Sequence, residues 1–182
     1  ELTNHCNLKC IFCGQQAMTR EKGFISEGTF QKIIDECSLH STPVRFIRWG
    51  EPFLHEKIID FCKYTKSKDV PLHITNNGLV IKESDMRALI DMEVDSLIFS
   101  FQGTTKEQYE IMRNNKLYDK LTSNIHKLIK MRGNKSKPFI HISSTITDES
   151  GIEKENFINA WGHIVDSVDI GKTNLSRIPD HK

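Results

Sequence analysis

Three cysteines crowd into eight residues near the start of the chain, in the run Cys6-Asn7-Leu8-Lys9-Cys10-Ile11-Phe12-Cys13. Thiolates this close together are soft donors, suited to an iron–sulfur cluster or to zinc. A structural zinc site takes four ligands, commonly from paired C-x2-C arrangements. Here His5, His73 and His141 stand at no zinc-finger spacing from the cysteines. A four-iron cluster held by three cysteines leaves one iron open, and that corner is a site for another molecule. The other two cysteines, Cys37 and Cys62, fall on apolar helix faces and read as small buried hydrophobes. An odd total of five cysteines, with no disulfide framework spread along the chain, fits a reducing compartment and a cytoplasmic location.

Further residues of unusual chemistry gather just after runs that read as strands. Gly50-Glu51-Pro52 follow Val44–Trp49, and Asn76-Asn77-Gly78 follow Leu72–Thr75. Ser100, Gln102 and Gly103 end the run Leu97–Phe101. Ser143, Ser144 and Thr145 lie along Phe139–Ile146, and Gly171 to Asn174 follow Ser167–Ile170. Helical spacing separates these runs: Phe30-Ile33-Ile34-Cys37 behind an N-capping Ser26, then Ile58 to Cys62, then Met86-Leu89-Ile90. A Thr104–Glu107 capping box opens the next helix, Leu117 to Ile129 form a longer one stopped at Gly133-Asn134, and Phe157 to Val165 the last. Pro43, Pro71 and Pro138 each stand just ahead of a strand, where a missing N–H costs little.

With a first strand ending near Leu2-Thr3, six strands alternate with at least five helices. Such alternation implies right-handed βαβ units and a parallel sheet. A closed eight-stranded barrel takes about 250 residues, more than this chain has. The expected fold class is therefore α/β, a partial (βα)6 TIM-like barrel with an open six-stranded parallel sheet. In such folds the carboxyl ends of the strands bear the site, so the polar clusters converge on one mouth. The plainer reading, that Gly, Asn and Ser simply make turns, stays open for Asn76-Asn77-Gly78.

Composition bounds the partners. Lys and Arg total 25 against 24 Asp and Glu, a net charge of +1 that excludes the basic footprint of a phosphate-binding nucleic-acid protein. No apolar run approaches the ~18–20 residues that span a bilayer. Neither a membrane nor a nucleic-acid partner is expected. Lys127, Lys130, Arg132, Lys135 and Lys137 read as a solvated helix face, while Phe157 and Trp161 read as core. One domain over residues 1–182 is expected, without a signal peptide. The opening Glu1-Leu2-Thr3, with no leading Met, reads as a fragment or a trimmed chain.

The cysteine run resembles the CxxxCxφC signature of radical S-adenosylmethionine (radical SAM) enzymes, with Phe12 as the aromatic before the last cysteine. Trp49-Gly50-Glu51-Pro52 resembles that family's GGEP motif. Ser100-Phe101-Gln102-Gly103 is similar to its ribose-contacting segment, often Ser-x-Asp-Gly. Two positions depart from the pattern: Trp49 replaces the first glycine, and the uncharged Gln102 replaces the frequent Asp. The resemblance covers nearly the whole chain and implies a six-stranded partial barrel.

It also implies two cofactors. A [4Fe-4S] cluster would sit on Cys6, Cys10 and Cys13, with S-adenosylmethionine (SAM) chelating the open iron. Reductive cleavage would give a 5′-deoxyadenosyl radical that abstracts hydrogen from an unidentified substrate, with electrons from a reductase or a flavodoxin- or ferredoxin-type donor. Gly50-Glu51-Pro52 would hold the methionyl ammonium, Glu51 accepting a charge-assisted hydrogen bond. Ser100 and Gln102 would take the ribose hydroxyls, Ser144 the methionyl carboxylate, and the Phe12 backbone and Gly171 the adenine. Phe99–Gly103 followed by Thr104–Arg113 looks like barrels that precede an auxiliary-cluster (SPASM-type) domain and modify peptides, proteins or other substrates. The stretch to Asp180-His181-Lys182 lacks the cysteines of such a domain. Blander readings make Glu51 a helix-start carboxylate and Ser144 a core hydroxyl. For the whole chain, the alternative is a non-catalytic zinc- or cluster-stabilised α/β module with a fourth metal ligand and no open pocket.

Overall fold

The computed structural model describes residues 1–147 and 150–173. Five parallel strands form one sheet: β1 (Val44–Phe46), β2 (Leu72–Asn76), β3 (Ser96–Ser100), β4 (Phe139–Ile146) and β5 (Ser167–Lys172). Spatial order follows chain order, β1 to β5. That is the order of a barrel segment; a doubly wound sheet reverses at a switch point. Among the described residues α1 (Glu27–Leu39) precedes β1, and five helices lie between strands: α2 (Ile58–Ser67), α3 (Glu83–Asp91), α4 (Lys106–Arg113), α5 (Tyr118–Arg132) and α6 (Gly151–Trp161).

The strand period of two sorts the side chains. Leu72 and Ile74, Leu97 and Phe99, and Ile140 and Ile142 are fully buried, as are Cys62, Leu89, Leu121, Ile125 and Leu128 of the helices. The alternate residues, among them His73, Thr75, His141, Ser143 and Thr145, are only half-buried. Phe157 and Trp161 are core, as the sequence predicts. Removing side chains of this size from water contributes roughly 1.5–3 kcal/mol each, so the helix layer fixes the sheet from one side.

The sheet has five strands among the described residues, not six. Leu2-Thr3 is not a strand: Thr3 makes a single antiparallel bridge with Phe24. Its neighbours follow, since Ile25 N–H donates to Leu2 O (2.8 Å) and Thr3 Oγ1 to Gly23 O (2.7 Å). The segment finds its partner in the 21–25 loop instead of in β1. Strand β1 stops at Phe46, and Arg48 soon after lies at φ +139°, off the extended ladder. Ser26 caps α1 as expected, accepting from Thr29 N–H (3.2 Å). The capping box of α4 falls one residue later than expected, on Thr105 and Gln108. Arg132 leaves the solvated face: its side chain is 10% exposed and pairs with Asp166. Asn174 and Asp180-His181-Lys182 lie outside the described residues. Among those described, no helix is long and apolar enough to cross a membrane.

Candidate active site at the strand ends

The cysteine loop has almost no regular structure, so side-chain hydrogen bonds hold its shape. Asn4 clamps it to the next loop, accepting from Gly23 N–H (2.7 Å) and donating to Glu21 O (2.8 Å). Gln15 donates to Asn4 O (2.8 Å) and Gln16 to Cys10 O (2.9 Å). Ile11 N–H donates to Met112 O (3.0 Å), docking the loop on the last turn of α4. Leu8 and Cys10 are buried beneath it.

The segment after β1 presses against the entrance of this loop. A Cβ on Gly50 would lie 2.0 Å from Thr3 O and 2.8 Å from His5 O, so only glycine permits the approach. The next residue then reaches its partner, Glu51 N–H donating to His5 O at 2.8 Å. The Glu51 carboxylate is 2% exposed and ties two turns together. One oxygen accepts from Phe53 N–H (3.1 Å), capping the turn that begins at Pro52; the other accepts from Asn77 N–H (2.7 Å) after β2. Burial pushes its pKa up to about 7, against the opposing pull of those two hydrogen bonds and the Arg113 charge. Asn77 also donates from Nδ2 to Asn7 Oδ1 (2.8 Å), so the turns after β1 and β2 are both fastened to the cysteine loop.

These contacts enclose a cavity of about 250 Å³ at the carboxyl ends of β1 to β4. Cys6, Cys10 and Cys13 line it together with Phe12, Trp49, Gly50, Glu51, Ser100 and Gln102. The sequence-predicted Pro52, Ser144 and Gly171 do not. Pro52 is buried at the start of its turn. Ser144 is fully buried on the helix-facing side of β4 and donates to Gly103 O (2.7 Å). Its neighbours Ser143 and Thr145 line the cavity instead. Gly171 sits opposite Thr145 in the β4–β5 register. Gln102 is 1% exposed, accepting from Thr145 Oγ1 (2.5 Å) and donating to Thr173 Oγ1 (2.7 Å). It joins the ends of β3, β4 and β5. A larger groove of about 440 Å³ beside Phe24 and His55 contains no cysteine, and its Glu27 and Lys57 pair with each other.

Asn76 and Asn77 line the cavity as their place after a strand suggests, whereas Arg48, Thr75 and Arg113 were missed by sequence reasoning. Arg113 ends α4 and is buried among the site residues, its guanidinium carbon 5.3 Å from the Phe12 ring centroid. The helical i, i+4 pairing of Arg113 with the buried Tyr109 was the only signal available to find it. Arg113 Nε and Thr75 Oγ1 are buried without a hydrogen-bond partner among the described residues. Leaving such groups unpaired costs roughly 1–3 kcal/mol each, so their presence in one cavity fits a polar ligand.

The thiols fit a cluster. Burial pushes the Cys6 thiol up, with the charges of Glu51, Cys10 and Cys13 adding to it, while a hydrogen bond from Leu8 N–H opposes. Burial also raises Cys10, partly offset by Arg113. Metal uptake therefore has to release protons from these thiols. Among the described residues no three His, Cys, Asp or Glu side chains gather tightly enough to hold one metal ion. Cys6, Cys10 and Cys13 instead line one shared cavity, an arrangement that suits ligands at separate corners of a polynuclear cluster.

A five-stranded barrel segment with a thiol-lined mouth at its carboxyl end defines a cofactor-binding α/β barrel domain. The sequence matches the radical SAM superfamily over residues 1–157, and the chain belongs to that superfamily. Members use a [4Fe-4S] cluster and SAM. The chain is 27% identical over 154 residues to the tungsten-containing aldehyde ferredoxin oxidoreductase cofactor-modifying protein of Pyrococcus furiosus. That match covers 82% of this chain and 43% of the relative, so the chain spans less than half of the relative's length. In fold it is similar to Streptococcus suis SuiB bound to SAM, with TM-score 0.77 and 18% identity over 94% of this chain and 39% of that one. SuiB bound to its precursor peptide SuiA gives TM-score 0.79 and 17% identity over 100% of this chain and 41% of that one.

Proposed function

We propose that residues 1–182 form the core domain of a radical SAM enzyme that abstracts hydrogen from a substrate of peptide or protein class. The observation that carries this reading is the convergence of Cys6, Cys10 and Cys13 with the Gly50-Glu51 turn on one cavity. A cluster held by Cys6, Cys10 and Cys13 would supply the one-electron chemistry for reductive cleavage of SAM.

The protein's part is to bind, orient and exclude water. Cys6, Cys10 and Cys13 would hold the cluster as thiolates. Glu51, already fixed by two backbone N–H groups, has lone pairs left to accept from the methionyl ammonium. A cationic ligand there draws the Glu51 proton off, since opposite charge favours the carboxylate. Ser100 and Gln102 would take the ribose hydroxyls, and the Phe12 segment the adenine. Ser143 and Thr145, which line the cavity beside the buried Ser144, are the hydroxyls that would reach the methionyl carboxylate. Support for the substrate class comes from SuiB, similar in fold and bound to a precursor peptide; the Pyrococcus furiosus relative is named for modifying a cofactor.

Anaerobic reconstitution tests the reading. About four irons per chain, a broad brown absorbance, and 5′-deoxyadenosine formed from SAM with dithionite are expected. Colourless protein holding one zinc, without SAM cleavage, would establish the structural module instead.

A further inference from the structure

The buried guanidinium of Arg113 lies against one cluster ligand in particular. Its Nη1 donates to Cys10 Sγ at 3.6 Å, within reach for a sulfur acceptor, and its Nη2 donates to Ser100 O (2.8 Å) and Phe101 O (3.1 Å). Those carbonyls close the end of β3, while the Phe12 ring packs against the guanidinium. The planar fork is thus gripped from two sides, which fixes the direction in which Nη1 points. Cys10 is also the most deeply buried of the three motif cysteines, at 6% exposure. A charge-assisted hydrogen bond in so dry a place acts at close to full strength.

We infer that Arg113 is a positioning residue that sets the reduction potential of the cluster through its hydrogen bond to the Cys10 sulfur. This rests on the cluster-bearing reading above. Reduction adds one electron to the oxidised cluster, from a ferredoxin- or flavodoxin-type donor or from dithionite; no bond is made or broken and no proton moves. The added negative charge spreads onto the sulfurs, so a donor on one of them stabilises the reduced form more than the oxidised form. Hydrogen bonds to cluster sulfurs are among the recognised levers on potential. Arg113 therefore raises the potential and brings the cluster within reach of its electron donor.

The experiment is a redox titration of the reconstituted protein, followed by EPR, on wild type, R113K, R113Q and R48Q. R113Q is expected to lower the potential until the reduced-to-oxidised ratio at a fixed applied potential falls about tenfold, equal to 59 mV for one electron. R113K keeps the charge and loses the fork, so it falls between. Arg48 lines the same cavity but packs on Trp49; R48Q is expected to leave the potential near wild type. An unchanged potential in R113Q, or an equal shift in R48Q, overturns the inference. So does an R113Q protein that folds yet takes up no iron, which would make the arginine a scaffold only. If the Arg113 variants fail to fold, wild type labelled with 15N-arginine decides. Pulsed EPR of its reduced cluster is expected to show nitrogen and exchangeable-proton couplings, and their absence overturns the inference. A wild type that holds no four-iron cluster fails at the earlier step, against the proposed function and not against this residue.

Discussion

Two carboxylates at opposite ends of the sheet are built in opposite ways. Asp95 precedes β3 at the amino end and accepts from Lys137 Nζ (2.6 Å), Leu72 N–H (2.8 Å) and Lys66 Nζ (2.9 Å). Burial pushes its pKa up, but those donors outweigh it and hold the group well below the usual carboxylate range. Glu51 follows β1 at the carboxyl end, where burial prevails and carries it up to about 7. One end has matched its charges and drawn three strands together. The other keeps an acid poised to ionise, an unpaired guanidinium nitrogen and an unpaired hydroxyl beside three thiols. Stability is concentrated at the first end and capacity for a ligand at the second.

The sharpest way to break that contrast is Cys10→Ala. Iron uptake and SAM cleavage are expected to vanish while far-UV circular dichroism stays near wild type; global unfolding would make the cysteine end as structural as the Asp95 end. Next comes Gly50→Ala, which drives a methyl into the Thr3 carbonyl at 2.0 Å. A loss of roughly 2–4 kcal/mol is expected in urea denaturation, with iron uptake reduced as the Glu51 turn is pushed off His5. Asp95→Asn should cost about 1–3 kcal/mol and leave iron uptake intact. A variant that lost iron instead would show the two ends to be coupled.

Much of this arrangement was legible in the sequence because it depends on spacing. The cysteine run, the Gly50-Glu51 turn and the alternation of strands with helices all survive translation into three dimensions. Ser144 shows where spacing stops: a shift of one residue along a strand exchanges its faces, and nothing in Ser143-Ser144-Thr145 marks which hydroxyl looks inward. Leu2-Thr3 has the composition of a strand end, yet pairing depends on which backbone lies alongside, and the 21–25 loop does. Arg113 was obscured by its place at the end of a charged helix, where an arginine ordinarily faces solvent. Its burial comes from the docking of that helix end on the cysteine loop, a contact across about a hundred residues of chain.

The smallest effect lies in pH. A carboxyl with a higher pKa in the fold than in the unfolded chain binds its proton more tightly when folded. Its contribution is therefore present at acid pH and lost as pH rises from about 4.5 to about 7. For the iron-free protein, stability is expected to slope downward across that window, and Glu51→Gln to flatten the slope. Asp95 has the reverse sign: its contribution is present at and above the ordinary carboxylate pKa and is lost as the solution is acidified below it, towards the lowered folded value. Urea midpoints measured across both windows separate the two groups.

In the proposed site three cysteines hold a four-iron cluster and leave one iron to SAM, and labelled SAM tests this most directly. With SAM carrying 15N at its amino group, pulsed EPR of the reduced protein is expected to show a nitrogen coupling from the ligand. A spectrum indifferent to SAM, with a coupling from a protein side chain in its place, would contradict the account.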